Sequence, residues 1–448
     1  MRARAGRALA HLLLRRMRVG SLTLVEAGER QRFGTGSPAA ILEVHSPRLW
    51  PKLARGSRGL ADAYEQGLWD SADLVALICL AALNATGTDR VRARLARLFA
   101  PGRALAGLWR HSTRARRRRD IAAHYDLGEE LFTRMLDPTL SYSAAVFEDE
   151  RMTLEQAQLA KLERVCEKLE LGPADHVLEI GTGWGGFALH AAATRGCHVT
   201  STTISRRQYE YARERVRAEG LEDRVEIIMR DYRDLEGSYD KLVSIEMIEA
   251  VGWRHYGTFF AKCSSLLAAH GAMLLQAITI DDHLYEAEKA ASSFINTRIF
   301  PGGCLPSLAV ISRCVADRTD MRALDLEDIT EHYVETLRRW RETFTANAAE
   351  LAELGYDERF RRIWTLYLAY CEAGFAERRI SDVQLLLAKP GWREPRHVLP
   401  ADARAFFAAR GLTLQTDEST TDAALRLSVA GAEAIPDIYR AGESRGRA

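Results

Sequence analysis

Short apolar runs separated by helix-length amphipathic stretches occupy residues 120–390. The apolar runs are His176–Ile180, His198–Thr203, Val225–Met229, Lys241–Ile245 and Met273–Ile278. Between them, Ser205–Glu219 and Tyr256–Ala268 carry apolar residues at helical spacing. Continuous apolar strands that alternate with helices indicate a parallel sheet covered on both faces. We therefore predict an α/β fold for this region.

Longer helical patterns flank these strands. Thr153 is a predicted N-cap for a helix whose apolar positions recur with a period near 3.6, and Gly172-Pro173 ends the pattern. Two further helices are predicted at Thr330–Leu351 and Glu358–Phe375, with a late strand at Val383–Ala388.

The first hundred residues contain a separate mixture of elements. Ser21–Val25 and Ala40–Val44 are predicted strands, and Gly59–Leu68 and Ser71–Ala85 are predicted helices, the second capped by Ser71. No catalytic constellation is present in this part. The chain is accordingly divided into a small α+β accessory domain (1–110), a basic linker (111–123), a catalytic domain (124–390) and a C-terminal extension with a mobile tail (391–448).

Composition excludes several classes of protein. The 448 residues are 47% hydrophobic and 27% charged, which is typical of a globular chain, and the net charge of +1 argues against a nucleic-acid partner. Seven cysteines without a CxxC pair predict neither a disulfide framework nor a metal site, and they favour a cytoplasmic location. The longest apolar run, Leu74–Leu83, is about half of the roughly 20 residues that span a bilayer.

Positive charge is concentrated in two places. Met1–Arg18 holds six Arg and no acid around the apolar stretch Leu9–Leu14, and Arg110–Arg119 holds six more. A basic amphipathic segment can lie on an anionic membrane surface. We expect peripheral association with the inner face of the cell membrane. A solvent-exposed helix and a solvated linker are the alternatives.

A glycine-rich turn is the strongest single motif. Residues 177–186 read VLEIGTGWGG, an apolar strand followed by a turn with glycines at Gly181, Gly183 and Gly185. Glycine lets a ligand approach the backbone closely, and Glu179 lies at the strand end beside the turn. The spacing E-x-G-x-G-x-G differs from the dinucleotide pattern and resembles the S-adenosylmethionine loop of class I methyltransferases.

Residues that follow the later strands are candidates for binding the ribose and adenine of the cofactor. The second strand ends without the acid that holds a ribose in dinucleotide folds, so Thr203 and Gln208 are the candidate ribose ligands. Asp231 and Tyr232 follow the third strand and are expected to frame the adenine. Ile245, at the end of the fourth strand, is a further predicted cofactor contact.

Six motifs in order make the resemblance specific. They are HYDLG (124–128), LSYS (140–143), the glycine turn, DYRDL (231–235), FPGGCLPS (300–307) and YCEAGF (370–375). Together they resemble the cyclopropane-fatty-acyl-phospholipid synthase family, which is related to the mycolic acid cyclopropane synthases. The resemblance implies a mostly parallel seven-stranded sheet with helices on both faces, and an S-adenosylmethionine-dependent enzyme.

The resemblance also implies a reaction. In that family, the methyl group of S-adenosylmethionine is transferred to a cis double bond of a phospholipid acyl chain, and a bound bicarbonate removes a proton from the resulting carbocation so that a cyclopropane ring closes. By resemblance, Glu249 orients the bicarbonate, and Tyr333 and Cys371 line it. Tyr142 and Ser143 contact the cofactor.

Two departures leave the product open. Many members have Cys where this chain has Ala144, and many have His where it has Gln276, the fourth predicted catalytic residue. The alternative is methylation without ring closure, which gives a methylene-branched lipid for a partner reductase. A non-catalytic lipid-binding protein and a methyltransferase for small molecules or nucleic acid are lower-ranked readings. Homodimer formation, headgroup preference and acyl chain length stay open.

Overall fold

The computed structural model describes residues 2–85, 128–289, 291, 293–393, 407–409, 411–416 and 425–429. The predicted linker 111–123, the arginine cluster 110–119 and the tail 441–448 lie outside the described residues.

The N-terminal part contains a four-stranded sheet in the order β2-β1-β3-β4. Its strands are β1 (Ser21–Glu26), β2 (Glu29–Gly34), β3 (Ala39–Val44) and β4 (Trp69–Asp70). The helices around it are α1 (Arg2–Leu14), α2 (Leu49–Lys52), α3 (Gly56–Glu65) and α4 (74–85), with a 3₁₀ turn at Leu53–Arg55. An α+β arrangement is confirmed here, while the boundary at 110 stays a prediction.

Two details of this part differ from the sequence-based expectation. Strand β2 was not anticipated, because its sequence is polar and only Phe33 is buried. Ser71 is not the cap of α4: the Asp73 carboxylate accepts from the Ala76 amide at 2.9 Å, while the Ser71 hydroxyl donates to the Asp73 carbonyl. A carboxylate is at least as good an N-cap as a hydroxyl, and it lies one residue before the helix.

A seven-stranded sheet in the order β10-β11-β9-β8-β5-β6-β7 forms the centre of the catalytic part. Its strands are β5 (His176–Ile180), β6 (His198–Thr203), β7 (Val225–Met229), β8 (Tyr239–Ile245), β9 (Leu267–Ile280), β10 (Arg322–Asp328) and β11 (Ile380–Ala388). Five neighbouring strands, from β9 to β7, pair in parallel, and β11 and β10 add antiparallel pairs at one edge. The class I methyltransferase topology is therefore confirmed.

Helices cover both faces of this sheet. They are α5 (Glu129–Thr133), α6 (Leu154–Lys168), α7 (Gly186–Arg195), α8 (Arg206–Ala218), α9 (Ile248–Val251), α10 (Tyr256–Leu266), α11 (Asp282–Glu288), α12 (Leu308–Arg318), α13 (Thr330–Ala346), α14 (Ala348–Glu353) and α15 (Glu358–Ala376). A π-helical turn (Ile295–Ile299), a 3₁₀ turn (Tyr232–Asp234) and a hairpin of β12 (Leu412–Thr416) and β13 (Leu425–Val429) complete the described elements. One apolar core lies between the sheet and α6–α8, and another between the sheet and α9, α10 and α12.

The predicted bounds of helices and strands agree best with the structure where local sequence determines the ends of the element. Strands β5, β6 and β7 have the predicted bounds. Thr153 caps α6 in a reciprocal capping box with Gln156. The predicted helix Thr330–Leu351 is instead two helices, α13 and α14. Strand β10 was missed because it is exposed along nearly its whole length and its sequence is polar.

A third core joins the N-terminal part to the helices beside the sheet. Trp50 and Trp69 from the first part share it with Trp340 and Trp364 of α13 and α15. Arg362 of α15 reinforces the contact: its guanidinium donates to the carbonyls of Tyr64 and Trp69 at 2.7 and 3.1 Å and to Asp70 at 2.8 Å. The N-terminal part is thus fixed against α15.

Replacing Arg362 with Ala is expected to lower the free energy of unfolding by about 2 kcal/mol, because two backbone carbonyls lose a charged donor. Urea unfolding measures the change. Arg359→Ala, on an exposed position of the same helix, is the matched control and is expected to change the free energy of unfolding by less than about 0.5 kcal/mol. Equal effects of the two variants would contradict a specific role for Arg362 in this contact.

Candidate active site

Most of the candidate residues lie at the carboxyl ends of the parallel strands. These strand ends form one edge of the sheet, perpendicular to the strands. The glycine turn follows β5, Thr203 ends β6, Asp231 follows β7, and Glu246 and Glu249 follow β8. Strand β11 runs antiparallel to β9, so its beginning lies at the same edge. Ligands of open α/β sheets bind at this edge, which makes it the candidate site.

The glycine turn is shaped for a close ligand. The backbone N–H groups of Gly181 and Thr182 both donate to the Thr202 carbonyl at 3.0 Å, which fixes the turn to the neighbouring strand. Gly183 has a φ of +52°, and among the described residues no atom outside Gly183 and its two chain neighbours lies within 4 Å of the position that a Cβ would occupy there. The turn therefore borders open space on the side of Gly183, as a cofactor cradle requires.

Glu179 lies buried beneath this turn. Its carboxyl group accepts a hydrogen bond from the Ser201 hydroxyl, and that hydroxyl lies 2.7 Å from the Thr182 hydroxyl. Burial raises the pKa of Glu179 to about 8. The carboxyl group is therefore largely protonated at neutral pH and can donate as well as accept a hydrogen bond.

The candidate ribose ligands contact each other. The Thr203 hydroxyl donates to Gln208 Oε1 at 2.8 Å, and both side chains are buried. The Ser205 side chain caps the helix that carries Gln208. The pair therefore presents a fixed polar surface at the end of β6.

The candidate adenine residues lie at the end of β7. The Asp231 carboxylate is buried and accepts from the Arg233 backbone at 3.1 Å and from the Arg233 guanidinium. Tyr232 is partly exposed, and its ring meets Phe259 edge-on at 5.5 Å. Ile245, partly buried, ends β8 opposite Gln276 of β9.

The LSYS motif contacts α6, α13 and α15. Ser143 is buried, and its hydroxyl accepts from the Lys161 ammonium at 2.8 Å. The Tyr142 hydroxyl lies 2.6 Å from the Tyr367 hydroxyl, and its ring stacks on Trp340 at 5.2 Å. Tyr142 thereby contributes an aromatic wall as well as a polar group.

Glu246 is the centre of a buried group of hydrogen-bonded polar side chains. Its Oε2 accepts from the Tyr333 hydroxyl at 2.6 Å, and its Oε1 accepts from the Ala144 amide at 2.7 Å and from Gln276 Nε2 at 2.9 Å. Gln276 Nε2 also donates to Asp382 Oδ2 at 3.0 Å. We call Glu246, Tyr333, Gln276 and Asp382 the Glu246 cluster.

Glu249 lies three residues further on, in α9. The Ile278 amide donates to its Oε1 at 2.6 Å, while Oε2 is buried with no hydrogen-bond partner among the residues that the structure describes. Burial and the neighbouring Glu246 raise the pKa of Glu249 to about 8. The FPGGCLPS segment closes over it, since the Cys304 amide donates to the Glu249 carbonyl at 2.9 Å.

Cys371 is placed differently from the other three predicted catalytic residues. Tyr333, Gln276 and Glu249 lie in or beside the Glu246 cluster, whereas Cys371 lies on α15, one turn after Tyr367. Its thiol makes no hydrogen bond within the described ranges, and burial raises its pKa to about 12. It is a neutral thiol that packs on the third core.

Aromatic rings surround this polar group. The Tyr333 ring stacks on Phe375 at 4.4 Å between ring centroids and meets Trp340 edge-on at 6.1 Å. Aromatic faces are negative and attract a cation, while the rings exclude water. The site can therefore hold a positive charge that develops beside an apolar chain.

Three functional candidates were missed in the sequence. Glu246 is within the segment 245–250, and its position directly after a strand was the available signal. Asp382 is a single acid at the beginning of an apolar strand, one residue before the predicted start. Lys161 is a buried cation on α6, where its neighbours already suggested the buried face.

Comparisons with known proteins agree with the geometry. The profile of the mycolic acid cyclopropane synthetase family matches residues 112–385. The chain is 38% identical to the tuberculostearic acid methyltransferase UfaA1 of Mycobacterium tuberculosis, over 87% of this chain and 93% of that protein. It is 37% identical to the cyclopropane-fatty-acyl-phospholipid synthase of Escherichia coli, over 79% of this chain and 89% of that protein.

A solved structure shows the same fold with SAH, the product form of the cofactor, bound. The mycolic acid cyclopropane synthase CmaA1, complexed with SAH and CTAB, superposes with a TM-score of 0.57 and 30% identity, over 61% of this chain and 98% of that chain. The sheet, the glycine turn and these comparisons lead to one assignment. The chain belongs to the mycolic acid cyclopropane synthetase family and is an S-adenosylmethionine-dependent methyltransferase.

Proposed function

We propose that this enzyme adds one carbon from S-adenosylmethionine across the cis double bond of a phospholipid acyl chain and closes a cyclopropane ring. The observation that carries the proposal is the Glu246 cluster: buried carboxyl groups lined by the stacked rings of Tyr333 and Phe375. An alkene that accepts a methyl group becomes a carbocation. Negative charge and aromatic faces stabilise such a cation where water is excluded.

The residues that would hold S-adenosylmethionine are those around the glycine turn. Gly183 borders the open space, Glu179 lies below the turn, and Ser143, Thr203 and Asp231 supply polar groups at the same edge. When bound, the cofactor supplies an electrophilic methyl group. Met247 lies against Gly181, so the glycine turn and the segment that carries Glu246 are neighbours. That proximity supports methyl transfer beside the carboxyl groups.

A second candidate function is methylation without ring closure. Some relatives are named as methyltransferases rather than synthases, among them the tuberculostearic acid methyltransferase UfaA1 and a probable fatty acid methyltransferase of Pseudomonas putida that is 35% identical over 62% of this chain. In this outcome a hydride shift precedes proton loss, and a methylene-branched acyl chain results. A partner reductase would then saturate it.

Access to a membrane lipid is proposed to use α1. No helix within the described ranges is long and apolar enough to cross a bilayer. Leu9, Leu12 and Leu13 project from α1 and are 57%, 50% and 58% exposed. Arg15 and Arg16 follow directly after α1 and are also exposed. Exposed leucines next to arginines suit shallow insertion into an anionic surface.

Product analysis tests the function. The chain is incubated with S-adenosylmethionine and vesicles of unsaturated phosphatidylglycerol and phosphatidylethanolamine, and the lipids are examined by proton NMR. We expect upfield cyclopropane signals. Downfield methylene-alkene signals instead would establish the second candidate, and mass alone cannot separate these isomers. Unmodified lipid would contradict both.

Gly183→Val is expected to weaken binding of S-adenosylhomocysteine by more than about tenfold, because a branched side chain would fill the open space and strain a left-handed backbone by roughly 1–3 kcal/mol. Isothermal calorimetry measures the affinity. Gly220→Val is the matched control, since Gly220 also has a positive φ and open space but lies after α8, outside the site. If both variants bind like the parent, the turn does not hold the cofactor.

The triple substitution Leu9→Ser, Leu12→Ser, Leu13→Ser is expected to reduce binding to anionic vesicles at least tenfold, because it removes the apolar surface of α1. Co-sedimentation measures binding, and calorimetry with S-adenosylhomocysteine should give the parent affinity. The matched control replaces Leu324 and Leu326 of β10, which are 50% and 46% exposed. Parent-like vesicle binding by the α1 variant would mean that docking lies elsewhere.

A further inference from the structure

The hydrogen-bond donors of the site already have an acceptor within the chain. Tyr333, which the family resemblance places beside a bound bicarbonate, and Gln276, the fourth predicted catalytic residue, both donate to the Glu246 carboxyl group, as does the Ala144 amide. One side chain thus accepts three hydrogen bonds in the place where an external anion is expected. A planar carboxylate and bicarbonate present the same pair of acceptor oxygens.

The charge of the site also disfavours a second anion. Glu249 and Asp382 bring two more carboxyl groups next to Glu246, and burial raises the pKa of each. Lys161 is the buried cation whose charge acts on Glu246 and Asp382. An added bicarbonate would meet the Glu246 carboxylate at close range and find its donors engaged. The residues present therefore do not fit a bicarbonate in that position.

Glu246 and Asp382 are both buried, and their surroundings act differently on the two carboxyl groups. Burial raises the pKa of both Glu246 and Asp382, but hydrogen bonds from Tyr333 and the Ala144 amide and the charge of Lys161 act to lower that of Glu246. The neighbouring carboxyl groups of Glu246 and Glu249 raise the pKa of Asp382 further, well above its ordinary value. These surroundings favour negative charge on Glu246 over Asp382.

The backbone gives an independent indication. Glu246 has a φ of +46°, in the left-handed region that glycine adopts without strain. A side chain there costs roughly 1–2 kcal/mol. Non-glycine residues in such conformations cluster at functional sites, where the surrounding structure holds them. Here the Glu246 amide donates to the Gln276 carbonyl at 2.8 Å, and the side chain is held by three donors.

We propose that Glu246 is the base of the reaction and replaces bicarbonate. This inference rests on the proposed function. The π electrons of the alkene form a bond to the methyl carbon as the carbon–sulfur bond breaks, and the neighbouring alkene carbon becomes a cation. The Glu246 carboxylate then takes one proton from the added carbon. The electron pair of that carbon–hydrogen bond forms the second carbon–carbon bond, and the protonated Glu246 later releases its proton to solvent.

Two variants of Glu246 separate this role from a structural one. Glu246→Gly removes the base and leaves Tyr333, Gln276 and the Ala144 amide free to bind an added anion, and it relieves the left-handed strain. Glu246→Gln keeps the volume and cannot take a proton. In carbon-dioxide-free buffer, both are expected to lose at least about 10²-fold in turnover, with parent affinity for S-adenosylhomocysteine.

Rescue by bicarbonate is the decisive measurement. Added bicarbonate or formate should raise the turnover of Glu246→Gly at least tenfold. It should not raise the turnover of Glu246→Gln, because the side-chain amide of that variant fills the site. The parent should have the same turnover with and without bicarbonate. Glu170→Gly is the matched control, because Glu170 has a φ of +51° and lies after α6, outside the site; its turnover should equal that of the parent.

Distinct results would overturn the inference. If the parent loses activity without bicarbonate and regains it when bicarbonate is added, the external anion is the base. If Glu246→Gly keeps parent turnover in carbon-dioxide-free buffer, Glu246 is not the base. In both cases lipid is still modified, so the proposed function stands. If the parent itself modifies no lipid, the proposed function and the inference both fail.

Discussion

The charge of one buried lysine compensates the acids on which the site depends. Lys161 is 1% exposed, and burial lowers its pKa to about 8. The nearby carboxyl groups act in the opposite direction, Glu246 most strongly and then Asp137, and they favour its ammonium form. Removing a buried cation would leave several carboxyl groups uncompensated, each of which is costly to ionise in a low-dielectric interior. The ammonium group also donates a hydrogen bond to Ser143, a predicted cofactor contact. The predicted cofactor site and the carboxyl groups therefore depend on the same charge.

The order of the sheet explains how these acids come together. Residues 246 and 249 follow a parallel strand, whereas Asp382 is about 130 residues away in sequence and begins an antiparallel one. Because β11 pairs with β9, Gln384 lies opposite Gln276 and donates to its Oε1 at 3.1 Å. That bond orients the Gln276 amide so that its nitrogen faces Glu246 and Asp382. Strand β11, which lies between the edge strand β10 and β9, thus contributes directly to the chemistry.

The sequence predicts features that depend on neighbouring residues, and it does not predict contacts between residues that are far apart in the chain. The bounds of β5, β6 and β7 and the cap at Thr153 follow from apolar runs and one capping residue. The importance of Glu246 was not predictable, because it depends on contacts with Ala144, Gln276 and Tyr333, each more than 25 residues away along the chain. Lys161 was missed for the same reason. A buried charge becomes visible only when its partners on other elements are known.

A base that is part of the chain differs from a diffusible one in a way that bears on the product. Its effective concentration is fixed by the backbone, and no binding step must precede proton removal. The strain at Glu246 is consistent with such a fixed position. Ring closure and methylation without closure share the first cation, and they differ in whether proton removal precedes a hydride shift. A carboxylate held by three donors cannot move to follow a shifted charge. The choice between the products therefore depends on which acyl carbon the substrate pocket presents to Glu246.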